Sequence, residues 1–83
     1  MKILYFAWVR QNIGKSEEEV DLSPQISTIA DLIDHLRNRG GGYAEAFADP
    51  ARIRAALNQE HVRFDATIGN DDEVAFFPPV TGG

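Results

Sequence analysis

The most distinctive chemistry of this chain lies in its last residues: Phe76, Phe77, Pro78, Pro79, Val80, Thr81, Gly82 and Gly83. An apolar segment passes through two prolines into an uncharged, side-chain-poor tail that stops at a Gly-Gly carboxylate. Each proline fixes its own φ and biases the residue before it toward extended backbone, so Pro78 and Pro79 read as a stiff stem. From Pro78 to Gly83 the chain reaches roughly 20 Å at full extension. Glycine at 82 and 83 allows the tip to enter a channel too narrow for a Cβ. The arrangement suits delivery of the Gly83 carboxylate into another protein's active site. Gly82 would enter with it, and Phe77, Pro78, Pro79, Val80 and Thr81 are the candidate partner contacts. The tail 78–83 is expected to be mobile beyond Pro79 and to order on docking.

Other residue types capable of chemistry form no comparable set. The absence of cysteine removes disulfides, thiolate metal sites, persulfide carriage and a cysteine nucleophile. His35 and His61 stand alone, without the spacing of a metal site, so no metal is expected. Asp71, Asp72 and Glu73 crowd three carboxylates before the last apolar segment. They read as a solvated turn, because a calcium loop alternates its oxygen ligands around a glycine. Gly40, Gly41 and Gly42 lack the following Lys and Ser or Thr of a phosphate loop and read as a hinge or helix stop. Arg10 either meets an acidic partner or finishes a strand in solvent. No convincing nucleophile, base and orienter are found together, so the chain is not expected to be an enzyme on its own and no bound cofactor is expected.

The elements that must position the tail follow from size and pattern. Eighty-three residues, 43% hydrophobic and 25% charged, fit one domain spanning 1–83 with a single core. A net charge of −5 argues against nucleic acid as a partner, since phosphate binding rests on clustered Lys and Arg, and favours basic protein partners. No apolar run approaches the roughly 20 residues of a membrane helix, and the apolar start at Ile3 to Val9 lacks a small-residue cleavage site. No membrane partner is expected, and the cytoplasm is the default location.

Ile3 to Val9 is apolar on both alternating faces and reads as a central strand. Asn12 and Gly14 supply a turn, after which Glu18, Val20 and Leu22 pair back as a hairpin strand. The run Glu17 to Glu19 then reads as the solvated outer edge of the sheet. Beyond Pro24, Ile29, Leu32, Ile33 and Leu36 keep helical spacing, with Ser27 or Thr28 as cap and Asp31 completing an imperfect capping box. Tyr43 to Ala48 forms a short second helix. Ile53, Ala55 and Leu57, with Val62 and Phe64 beyond a turn at Asn58 to Glu60, line a second hairpin. Glu73 to Phe77 is the final strand, expected parallel to the first. The predicted architecture is an α+β roll: a mixed sheet with one main helix on one face and a short second helix. Phe77 then falls on the open face with Arg54, Ala56, His61 and Arg63. There it is either part of a docking patch or simply a cover for the second face of the sheet.

This strand order and the Gly-Gly ending resemble the ubiquitin-like β-grasp sulfur carriers. The run Asp72 to Gly83, the start Phe6, Ala7, Val9, Arg10 and the stretch Leu57, Asn58, Gln59 are similar to the small subunits of molybdopterin synthase over essentially the whole chain. The resemblance implies that an ATP-consuming adenylating and sulfur-transferring enzyme activates the Gly83 carboxylate, and that sulfur then replaces AMP. The resulting thiocarboxylate would supply sulfur, in the large subunit of the synthase, to a cyclic pyranopterin that becomes the molybdopterin dithiolene. It also implies partner contacts on the final strand and a heterotetramer of two large and two small subunits. Rival readings are a carrier for thiamine thiazole or for tRNA thiolation, a protein modifier conjugated through Gly83, and a passive interaction domain.

Overall fold

The two most apolar stretches of the chain lie side by side at the centre of a five-stranded mixed sheet. The computed structural model describes residues 1–79. Its strands are β1 (Lys2–Tyr5), β2 (Glu17–Glu19), β3 (Arg54–Leu57), β4 (Glu60–Val62) and β5 (Glu73–Phe77). Its helices are α1 (Ala7–Ile13), between β1 and β2, then α2 (Ile29–Arg37) and α3 (Gly41–Ala46), with a 3₁₀ turn at Pro50–Arg52 ahead of β3. The sheet order is β2-β1-β5-β3-β4, with β1 and β5 parallel and the other neighbours antiparallel. No helix among the described residues is long and apolar enough to cross a membrane.

Alternation sets which face is covered. Ile3, Tyr5, Val74 and Phe76 point to one side, in register as Ile3 beside Val74 and Tyr5 beside Phe76, and all are buried. Phe76 stacks on Tyr5 with ring centroids 6.4 Å apart and takes an edge contact from Phe47 at 5.0 Å. The helix α2 closes this side with Ile29, Leu32, Ile33 and Leu36, which are the expected apolar stripe. Its capping box is complete although Asp stands where Glu is usual: Thr28 Oγ1 accepts from Asp31 N–H, and Asp31 Oδ2 accepts from Thr28 N–H, both at 3.2 Å. The second hairpin turns through only Asn58 and Gln59, both at positive φ, so Glu60 already pairs with Leu57. Positive φ at both loop positions is the pattern of a type I′ turn.

Three expectations need correction. The first strand does not run to Val9: it ends at Tyr5, Ala7 turns at φ 51, and α1 follows. A short run apolar on both faces is compatible with a strand or a buried helix. Here Val9 enters the core, Ile13 four residues later packs against it, and Gly14 at φ 85 caps the helix. The second helix starts and ends two residues earlier than expected, because the glycines that stop α2 also begin α3. Gly42 is where α3 meets α1, since a Cβ there would collide with the carbonyl group of Asn12.

Finally, β2 is Glu17–Glu19 and stops short of the expected Val20 and Leu22; its acidic run is an outer edge, but Glu18 is not solvated. It faces inward opposite Ile3 and accepts hydrogen bonds from Tyr43 Oη at 2.6 Å, Tyr5 Oη at 2.8 Å and Arg39 Nη1 at 3.0 Å. Burial alone would raise its pKa. These donors outweigh burial and hold the carboxyl down to about 2, against an ordinary 4.5. The edge strand is thereby tied to the end of α2 and to α3. Between these two values the unfolded chain binds the proton and the folded chain does not, so stability rises with pH through that window. In urea titrations the stability advantage of wild type over Glu18→Gln should be full above about pH 4.5 and shrink as pH falls toward about 2. An advantage that stays constant across that range would contradict this role.

Candidate functional site

The tail leaves from the most constrained strand of the sheet. β5 is hydrogen-bonded to β1 on one side and to β3 on the other, with Phe77 in register with Arg54. The parallel ladder continues one step past β1, where Phe6 N–H donates to the Phe76 carbonyl at 3.1 Å. Phe77 is therefore held in place, and Pro78 and Pro79 follow it half-buried. Of the expected tail residues these three are described; Val80, Thr81, Gly82 and Gly83 lie outside the described residues.

Alternation splits the two phenylalanines. Phe76 is fully buried in the core, whereas Phe77 is half-buried on the open face of the sheet. On that face its ring meets His61 with centroids 5.2 Å apart. His61 sits on β4 and Phe77 on β5, so the rings meet across the intervening β3, where Ala56 leaves room. Arg54 and Ala56 are on the same face as expected, and Arg63 follows β4 as an exposed residue beside Arg54 in a shallow groove. The face also carries Leu4, Ala75 and Phe6. Among the described residues, Phe6, 46% exposed, is the large hydrophobic residue left to solvent, which a strand running on to Val9 does not single out. Its parity with Leu4 was the signal that places it there.

The opposite flank of the stem is built from residues that the sequence does not bring together. Pro78 and Pro79 share a groove of about 470 Å³ with Trp8, Ala51 and Arg52. The Arg52 guanidinium lies over the Trp8 ring, 5.2 Å from its centroid. Arg10 is exposed on α1; it does not terminate a strand as expected, since the strand has already ended at Tyr5.

Topology also collects charge here. The ends of β1, β4 and β5 and the start of β3 all lie at the pole of the sheet from which the stem emerges. Arg10, Arg52, Arg54 and Arg63 lie at or near those strand ends, so a chain of net charge −5 gathers four arginines around its stem, although Glu17, Glu45 and Asp49 stand at the same end. Asp71, Asp72 and Glu73 lie at the other end of β5. There Asp72 is part of a tight turn, accepting from Asn58 Nδ2 at 3.0 Å and Gly69 N–H at 2.8 Å, contacts that lower its pKa. Glu73 N–H in turn donates to Asn58 Oδ1, fastening the second hairpin to the start of the final strand.

This mixed sheet, covered on one face by helices and ending its central strand in a half-buried Pro-Pro stem, defines a ubiquitin-like β-grasp protein. Residues 3–83 match the model of the ThiS family. Over 83 residues the chain is 41% identical to the molybdopterin synthase sulfur carrier subunit of Escherichia coli, covering 100% of this chain and 99% of that protein. The corresponding subunit of Haemophilus influenzae is 34% identical over the same span, again with 100% and 99% coverage. Among solved structures, SAMP1 from Haloferax volcanii superposes with a TM-score of 0.73 at 26% identity, over 100% of this chain and 98% of that one. The chain belongs to the ThiS family.

The division of labour between the two phenylalanines is measurable. Phe76→Ala should lower stability by about 3–5 kcal/mol, the usual cost of truncating a buried aromatic. Phe77→Ala, at a half-buried site, should cost less than the roughly 1.5–3 kcal/mol of a fully buried side chain. Equal losses in urea denaturation would show that Phe77 belongs to the core and not to a docking face.

Proposed function

We propose that this chain is the sulfur-carrying subunit of a molybdopterin synthase, working through its Gly83 carboxylate with Gly82 as the thin neck behind it. The observation that supports this most strongly is the full-length likeness to sulfur carrier subunits, joined to a central strand that runs directly into the Pro78–Pro79 stem. The carrier contributes position, and its partners contribute acid, base and phosphate-binding groups.

The chemistry balances without a catalytic side chain on the carrier. A Gly83 carboxylate oxygen attacks the α-phosphorus of ATP in the activating partner; pyrophosphate leaves and an acyl adenylate forms. A reduced sulfur donor then attacks the acyl carbon and AMP leaves, so the terminal C–O bond is exchanged for C–S. In the large subunit the thiocarboxylate sulfur attacks a carbon of the cyclic pyranopterin, a C–S bond forming as a C–O bond of the precursor breaks and its oxygen leaves. Water then cleaves the acyl–sulfur bond to return the carboxylate and leave the sulfur on the pterin. Two sulfurs per dithiolene require two such deliveries. Phe77, Pro78, Pro79, Val80 and Thr81, together with Arg10 and the exposed Phe6, form the surface that the large subunit and the activating enzyme cover in turn.

Intact-mass analysis of the protein from cells containing its activating partner tests this. An increase of about 16 Da, the exchange of one oxygen for sulfur at a C-terminal acid, is expected at Gly83 and should vanish when Gly83 is deleted. Ladders of conjugated proteins on a denaturing gel, without that mass increase, would favour a protein modifier.

A further inference from the structure

The Trp8–Arg52 pair lies outside the open face of the sheet, on the other flank of the stem. We propose that this stacked pair is a second docking surface, one that seats a carboxylate on the rim of the large subunit's tail-receiving opening. The proposal rests on the reading of the tail given above and extends it to the residues that select the partner.

Three observations carry it. First, Arg52 is exposed and, among the described residues, pairs with no carboxylate. With its face on the indole, a guanidinium still presents its N–H edge, the geometry that matches a carboxylate in two bonds.

Second, the pair is pre-positioned. The turn that carries Arg52 is capped by Asp49, whose side chain accepts from Ala51 N–H at 3.1 Å. It is closed by Arg52 N–H to the Asp49 carbonyl at 3.0 Å and pinned from β3 by Arg54, which donates to the Ala51 and Ile53 carbonyls at 3.1 and 3.0 Å. Trp8 rides on α1, which Gly42 lets α3 approach closely. Ordering these groups costs little at the moment of binding, and a fixed Trp beside an Arg is the composition of an interface hot spot.

Third, the surroundings say from which side an acid arrives. The pair forms a ridge between two grooves. The one of about 290 Å³ away from the stem is walled by Glu45 and Asp49, which repel a carboxylate. The one of about 470 Å³ on the stem side holds Pro78, Pro79 and Ala51 and no acidic residue. A partner that draws the tail inward must close over Pro78 and Pro79, and in doing so it covers this groove. Covering Arg52 without an opposing charge would leave a buried, unpaired cation, so the partner's rim there is acidic.

The test measures binding of the purified large subunit of molybdopterin synthase from the same organism to wild type, Arg52→Gln, Arg52→Lys and Trp8→Leu. Melting curves establish that each variant is folded, and Arg52, being exposed, carries the test if Trp8→Leu is unstable. Arg52→Gln should weaken Kd about tenfold, with a shallower dependence on salt than wild type. Arg52→Lys should recover only part of that loss. ATP-dependent thiocarboxylation by the activating enzyme, which covers the same stem in turn, is read on the same variants and should fall by less than the affinity for the large subunit does. A Kd for Arg52→Gln within about twofold of wild type would overturn the proposal, since a hot-spot residue costs more than this. So would a loss confined to thiocarboxylation, which would assign the surface to the activating enzyme. A chain lacking Gly82 and Gly83 serves as control: if it still supports sulfur transfer, the reading of the tail fails independently of Arg52.

Discussion

The parallel pairing of β1 with β5 is the constraint on which the rest of this structure depends. It places Tyr5 beside Phe76 on the covered face, where Phe47 closes the aromatic cluster, and it holds the last strand as an internal one up to Phe77. An edge strand would leave its final residues free to fray. An internal strand hands the tail over at a defined point and in a defined direction. The same alternation that buries Phe76 turns Phe77 outward, so one pair of neighbouring residues anchors the strand and offers a contact surface.

Around this centre, small polar devices fix the peripheral elements. Glu18 ties the short outer strand to α2 and α3 through two tyrosines and an arginine, and burial together with Glu18 keeps the Tyr5 phenol protonated far above its ordinary range. Asn58 and Asp72 knit the hairpin tip to the start of β5. The Asn58 and Asp72 contacts lie at the end of β5 opposite the pole where the stem emerges. Around the stem itself stand exposed arginines, the exposed Phe6 and the half-buried Trp8 and Phe77, with Glu45 and Asp49 confined to the groove away from it, and the value of these side chains lies in what they offer a partner.

Much of this was legible in the residues, and what was not has physical reasons. The capping box at Thr28 and Asp31, the apolar stripe of α2 and the parallel terminal strand are local or strongly patterned features, and the structure has them. The helix α1 was concealed because Phe6, Ala7 and Trp8 continue the alternation of β1, while the break occurs at an alanine in a positive-φ conformation that alanine does not favour. Val9, Ile13 and Gly14 held the helical signal. The inward turn of Glu18 and the stacking of Arg52 on Trp8 depend on residues 13 to 44 positions apart and on tertiary approach, which periodicity does not encode. Of the candidate site, the stem at Pro78 and Pro79 and the outward Phe77 were readable, whereas the flank built by Trp8 and Arg52 was not.

The central claim is that the carrier supplies a positioned C-terminal acyl group and no catalytic side chain. The most direct measurement bypasses activation: the protein is prepared by semisynthesis with a Gly83 thiocarboxylate and mixed with the large subunit and the cyclic pyranopterin, without ATP or the activating enzyme. The account predicts dithiolene formation, with two carriers returned to the carboxylate form for each product molecule. Failure of the synthetic thiocarboxylate to transfer sulfur, or equal product from the unmodified carboxylate, would contradict it.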